Sequence, residues 1–474
     1  MHDAVMPPPL VDPADDWDPL DPISGPEPTA EHARLRAEHP VAYSSRFGGF
    51  WALSRYADIV SAARDTETFS SASKTTIPDT TGPDRPPRPP LEADPPRHGE
   101  FRTLLNRYFA PHRIRALEPA IRRIARDLIG TAVAHGEVEA VEAVSYPMPA
   151  QVLCTFLGIP TEDAATIKNL ANEVLAAGNS GDADAHRAAN DRIYGYIDEL
   201  VARRVANPQD PDTDLVSGLL AAEFEGRPLP TDDVSAVLRL LLQAGHGTTS
   251  NAIGSVFRYL AGHPDEQRRL REDPSLIPGA IEEILRVWTP ARLLARTTTH
   301  DVELAGGRIP QGRKVALLWS SANRDPEVFE RPDEVVLDRR PNRHVAFGHG
   351  IHTCLGAPLA RAELRIAVEE LFALTDELVL AGESRSSGWP HIGPTVLPLR
   401  FTARRDGAGP VTSSRSGWMP STETSCPPGS PERTSTSSCP RGSCASIRSA
   451  AIRPSRRGGS RCCARSTAAG DRPT

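Results

Sequence analysis

The chain has 474 residues, 39% of them hydrophobic, and a formal net charge of −7, enough for a large core and, by length alone, two or three domains. No apolar run approaches the roughly 18 residues of a membrane span, and Met1 to Pro7 have neither a basic nor an apolar signal region. No membrane anchor or secretory signal is therefore expected, and the protein is expected to be soluble and cytoplasmic; a monomer with no nucleic-acid partner is expected as well.

In chain order, a first helix is expected over 27–40. Two short β-prone pieces follow, Val41-Ala42-Tyr43 and Phe50-Trp51-Ala52-Leu53, around the Gly48-Gly49 turn. Helical patterns lie at 56–65, 98–108, 113–135, 160–177 and 185–206. Between Thr75 and Pro96 the chain is too rich in proline for regular helix. A helix of about 45 Å is predicted from Thr231 to roughly Gly262, opened by Asp232 and Asp233. Its middle, Ala244 to Asn251, has two glycines and three hydroxyl residues, and each interior glycine costs about 1 kcal/mol against alanine. Such a weak spot predicts a bulge or a close ligand. Pro278 to Trp288 forms another helix, with Glu283 and Arg286 on one face at i, i+3.

The most specific stretch is Phe347-Gly348-His349-Gly350-Ile351-His352-Thr353-Cys354-Leu355-Gly356. Its glycines let the backbone lie close to a flat ligand. Apolar positions 360, 364, 367, 368 and 371 then repeat at helical spacing. Cys354 therefore precedes a helix start, where backbone N–H groups favour a thiolate, the donor a haem iron takes as a strong axial ligand. The stretch resembles the cysteine-ligand loop of the cytochromes P-450, Phe-Gly-x-Gly-x-(His or Arg)-x-Cys-x-Gly, at every specified position.

That resemblance spans roughly residues 15–405. It implies a mainly α fold, a large helical domain with a smaller β-containing part, and haem b (iron protoporphyrin IX) buried between the long central helix and the cysteine loop. Cys354 is then the iron ligand, with Phe347, Gly348 and Gly356 shaping its loop. The propionates fall to His98 and Arg102 in Asp94-Pro95-Pro96-Arg97-His98-Gly99-Glu100-Phe101-Arg102, to Arg296 in Leu294-Ala295-Arg296-Thr297, and to His352. Glu283, Arg286 and a later arginine, Arg339, form a buried brace on the haem side of the core.

Ala244 to Thr249 resemble the family's oxygen groove, (Ala/Gly)-Gly-x-(Asp/Glu)-Thr-(Thr/Ser), with Thr248 supplying the hydroxyl. Gly247 stands where the family has an acid that helps relay protons. Two readings stay open: the ordinary proton route is impaired, or water delivers protons through a deeper bulge. His246 and a substrate hydroxyl are alternative donors. Leu240, Gln243 and Arg292 are assigned to the substrate pocket, Arg292 either pairing with a substrate carboxylate or serving solvent or a propionate. The proline-rich stretch either roofs that pocket or is a surface connector.

The implied activity inserts one oxygen atom of O2 into a small organic substrate with electrons from NAD(P)H. No flavin or nicotinamide motif is evident, so no bound flavin or nicotinamide is expected, and electrons are assigned to a ferredoxin and its reductase. Arg361 and Arg365 either face that acidic partner or form a solvated helix face. The alternatives are peroxide-driven or coupling chemistry on the same haem, and a non-catalytic docking member of the fold.

The domain is placed at 15–406, after a disordered leader, 1–14. Residues 407–474 contain fifteen Ser, ten Arg and no Leu, Phe, Tyr or Lys; their charge is +7, leaving −14 on residues 1–406. A disordered tail is expected, in composition like a GC-rich gene read out of frame. Cys426, Cys439, Cys444, Cys462 and Cys463 lack the paired spacing of a zinc site.

Overall fold

A computed structural model describes residues 16–20, 29–78, 86–159 and 226–405, and residues 163–224 with interruptions. The leader, the tail with its five cysteines, and much of the expected 160–177 helix lie outside the described residues.

The expected helices form at Thr29–Glu38, Tyr56–Arg64, Arg97–Asn106, Pro111–His135, Ala183–Ala206 and Ile277–Val287. Pro111 and Pro278 each open a helix, where a missing N–H costs nothing. The central helix, Thr231–Gly262, runs through the interior. It stays α-helical over its whole length, so the expected bulge does not form. Thr248 and Ser250 donate their hydroxyls to the carbonyls of Ala244 and His246, one turn back, at 2.8 and 2.9 Å, and keep these groups within the helix. Gly245 serves packing instead: a Cβ there would lie 2.8 Å from Leu153.

Helix Ala357–Leu374 follows the cysteine loop and lies against Pro111–His135. Arg122 and Arg126 of that helix each reach the buried Glu370 at 2.7 Å. Among the described residues, a five-stranded sheet joins β1 (Val41–Ser44), β2 (Phe50–Leu53), β3 (Phe69–Ser70), β4 (Leu294–Thr298) and β5 (Lys314–Leu317) in the order β1-β2-β5-β4-β3. β5 runs parallel to β2 and antiparallel to β4, with Val315 opposite both Trp51 and Arg296. That register fixes Arg296 in a buried strand. No described helix is long and apolar enough to cross a membrane.

Candidate functional site

The cysteine loop is pinned at its ends. The Cys354 N–H donates to Phe347 O at 2.8 Å, and helix Ala357–Leu374 starts three residues later. Gly350, at φ +73°, could not be replaced without moving the backbone, because a Cβ would lie 2.4 Å from Ala63 O. Gly356 has an ordinary φ of −80°, a conformation open to residues with a Cβ. Cys354 is exposed although it lies in the interior of the chain, so its sulfur opens on an internal cleft. Burial pushes its thiol up, against N–H groups of Gly356 and Ala357 and the guanidiniums of Arg102 and Arg361, which act the other way. The pull toward a thiolate expected from the helix start is present but outweighed by desolvation. Cys154 differs: it is wholly buried among apolar side chains, and its thiol is raised to about 12 by burial.

Beside the loop, four side chains from three elements converge. His98 and Arg102 sit one turn apart on Arg97–Asn106, Arg296 comes from β4, and His352 from the loop itself. The His98 and His352 rings are 4.4 Å apart, and Arg102 donates to Thr353 O at 3.0 Å. The buried Arg296 guanidinium donates to Ala295 O at 2.9 Å. Among the described residues, Nε2 of both histidines is buried without a hydrogen-bond partner. Burial, then Arg296, His98 and Arg102, pushes His352 down to about 2; burial, then Arg102, lowers His98. Burial lowers Arg296 to about 10, with Asp94 acting against it. Asp94 itself turns to Ser70 and to the Ser71 N–H. The cluster is thus rich in donors and poor in acceptors, which suits an anionic partner with more than one carboxylate.

On the central helix, Ala244 is exposed in the middle of a mostly buried helix. A Cβ at Gly247 would meet nothing within 4 Å among the described residues. Ala244, Gly247 and Thr248 therefore form a small, open, hydroxyl-bearing face. His246 does not join them. Its ring is buried, and Nε2 lies 3.2 Å from Tyr146 O, on another side of the helix. The donor role suggested for His246 is accordingly withdrawn, and helix geometry explains why: residue 246 is two positions, or about 200°, from 244 and 248.

The brace residues meet as well. Arg286 donates to both oxygens of Glu283 at 2.8 Å, and Arg339 donates to Oε1 at 2.8 Å. Val336 N–H and Asn342 complete the carboxylate's shell at 3.0 and 3.1 Å. Burial works to raise Glu283, but these bonds outweigh it and hold the carboxyl below its ordinary value. Arg286 spends its remaining donors on the carbonyls of Asn323, Pro332 and Glu334. The network ties the helix Ile277–Val287 to the segment that leads into the cysteine loop.

Arg292 is the clearest correction. It is 1% exposed and pairs with Glu31 at 2.8 Å, with Trp17 and Trp389 against its guanidinium. Its charge is already balanced inside the fold, so it does not serve a substrate carboxylate. Arg361 is likewise paired, with Glu282 at 2.7 Å, and Arg365 with Glu118 and Glu369 at 2.8 and 2.9 Å. Leu240 is buried in the central helix, and Gln243 lies beside Ala244. Arg88, which sequence reasoning passed over, reaches Gln243 from the proline-rich loop and pairs there with Glu92. Their i, i+4 spacing was the available signal.

A sequence profile described as cytochrome P450 matches residues 50–373. The vitamin D(3) 25-hydroxylase of Pseudonocardia autotrophica is 38% identical over 360 residues, 75% of this chain and 88% of the relative. The cyclomarin C epoxidase CymV of Salinispora arenicola is 37% identical over 354 residues, 73% of this chain and 89% of the relative. The structure of cytochrome P450 CYP109Q5 from Chondromyces apiculatus is 34% identical, with a TM-score of 0.74 over 82% of this chain and 99% of its own.

Proposed function

The chain belongs to the cytochrome P450 family and is a monooxygenase, and from that premise we propose that it inserts one oxygen atom of O2 into a small organic substrate, using electrons from NAD(P)H passed on by a ferredoxin and its reductase. The family implies a haem cofactor; we assign haem b, which when bound supplies the oxygen chemistry. The observation that carries the assignment is the meeting of Cys354, at the internal cleft, with a donor-rich cluster whose histidine Nε2 atoms have no acceptor among the described residues.

Each role follows from a placement. Cys354 is the iron ligand, held by its N–H bond to Phe347 O. His98, Arg102, Arg296 and His352 would hold the propionates, with the unpartnered histidine Nε2 atoms able to donate N–H bonds to them. Gly348 and Gly350, both at φ +73°, carry the loop's turns, and Gly356 adds no side chain beside the Cys354 sulfur. Thr248 offers its hydroxyl on the open face of the central helix while its proton is engaged with Ala244 O at 2.8 Å. With Gly247 in place of an acid, ordered water in the space beside it carries protons toward that hydroxyl. The domain is assigned to residues 15–406.

The same open space favours one second reading: externally supplied peroxide reaches the site directly and drives oxidation without redox partners. Turnover with hydrogen peroxide alone separates the two.

The test of the first reading is spectroscopic. Reduced protein given carbon monoxide should show the red-shifted Soret band of a thiolate-ligated haem, and Cys354→Ser should lose it. A normal band in that variant would overturn the assignment.

A further inference from the structure

Arg88 stands on the proline-rich loop with its charge settled close by. One Nη donates to Glu92 Oε1 at 2.9 Å, and the Arg88 backbone N–H donates to Glu92 Oε2 at 2.9 Å. The Glu92 side chain is 1% exposed and that of Arg88 12%. The pair is therefore a nearly neutral unit sunk into the loop. The other Nη reaches across the interior to Gln243 Oε1 at 3.2 Å, and Gln243 Nε2 donates to Asn190 Oδ1 at 2.9 Å. One polar chain thus links the loop, the central helix and helix Ala183–Ala206. Gln243 lies one turn before Gly247, on the side of the central helix where Ala244 is exposed. The Arg88–Gln243 contact accordingly borders the open face formed by Ala244, Gly247 and Thr248.

Its chemistry is unusual for a mere brace. A guanidinium has been brought inside with a long bond to a neutral acceptor, and its Nε is buried without a partner among the described residues. Apolar side chains would close the same seam without that desolvation. An exchangeable donor beside such an open face is what recognition of a polar substrate atom requires.

We propose that Arg88 is the specificity-determining residue for a substrate carrying a neutral oxygen acceptor, a ketone, ester or amide carbonyl, at the end remote from the oxidised carbon. The carbonyl displaces Gln243 Oε1 and accepts from the same Nη. A carboxylate fits less well, because Glu92 already neutralises the guanidinium and would repel it. The inference rests on the monooxygenase reading and makes Arg88 a positioning residue.

The test uses the full-length holoenzyme and N-alkylimidazoles of graded length, ending in methyl, methyl ketone or carboxylate. Imidazole anchors one end at the iron, and affinity is read from the shift of the Soret band. At one chain length the ketone should bind at least about tenfold better than the methyl tail, the effect of one good hydrogen bond. Arg88→Leu should bring that ratio close to one while changing the methyl tail's affinity by less than about threefold. Glu92→Gln should turn the preference toward the carboxylate. A ratio of one at every length in the wild type, or an unchanged ratio in Arg88→Leu, overturns the proposal. So does an equal loss for all tails, which would mark Arg88 as a loop brace alone. The carbon monoxide spectrum of the same samples separates the two failures: a lost thiolate band condemns the haem reading, whereas an intact band with undiscriminated tails condemns only the role of Arg88.

Discussion

Glu363→Gln should stabilise the protein at pH 8 and leave it almost unchanged at pH 5. Glu363 is 2% exposed on helix Ala357–Leu374, and its Oε2 is buried without a partner among the described residues. Glu370, seven residues along the same face, is also buried but receives Arg122 and Arg126. Burial alone raises the Glu363 carboxyl from 4.5 to about 8. Between those values the folded protein keeps a proton that the unfolded chain has released. Stability therefore falls as pH rises through that window and is greatest below it. At about 1.4 kcal/mol per pH unit, the loss approaches on the order of 5 kcal/mol. Relaxation and water entry reduce such costs, so a gap of about 2–4 kcal/mol between variant and wild type is expected at pH 8. Denaturant midpoints of the two holoproteins at pH 5, 6, 7 and 8 measure it. Parallel stability curves, with a gap that does not change with pH, would refute the reasoning.

Thr248→Ala should raise peroxide release per NAD(P)H consumed, and Gly247→Asp should lower it or leave it unchanged, as read by coupling assays. Because a Cβ at 247 meets nothing within 4 Å, Gly247→Asp should alter stability by less than about 0.5 kcal/mol, and a larger loss in denaturant titration would show that the space is not free. Glu283→Ala leaves Arg286 and Arg339 uncompensated in a buried site, and a loss of about 3–5 kcal/mol is expected by the same titration, with haem retention falling in parallel.

Residue type at fixed offset made the cysteine loop and the central helix legible. The gathering of Glu283 with Arg339 was readable only through the family pattern, because 56 residues separate them. Of the two readings of the central helix's weak spot, the bulge does not form: glycine propensity was weighed without the packing of Gly245 on Leu153, a contact made across 92 positions. Arg292 was assigned to the substrate from its place in the chain, yet its partner Glu31 lies 261 residues away. The position of His246 was within reach of helix geometry alone. So was the oddity of Glu363, flanked along its helix by Leu359, Ala360, Ile366 and Ala367.

The parallel pairing of β5 with β2 bears on how the molecule is made. Phe50–Leu53 leaves the ribosome with β1 as its hydrogen-bonded neighbour, while its other edge waits for Lys314–Leu317, some 260 residues later. At about 5–20 residues per second, synthesis leaves that edge open for roughly 13–50 s. Arg296, which would grip a propionate, is carried on the strand beside β5 and takes its place only when this sheet closes. Cofactor capture is therefore a late event in biogenesis, and a nascent chain halted before residue 314 should present an unpaired strand edge to chaperones rather than a partly built cofactor site.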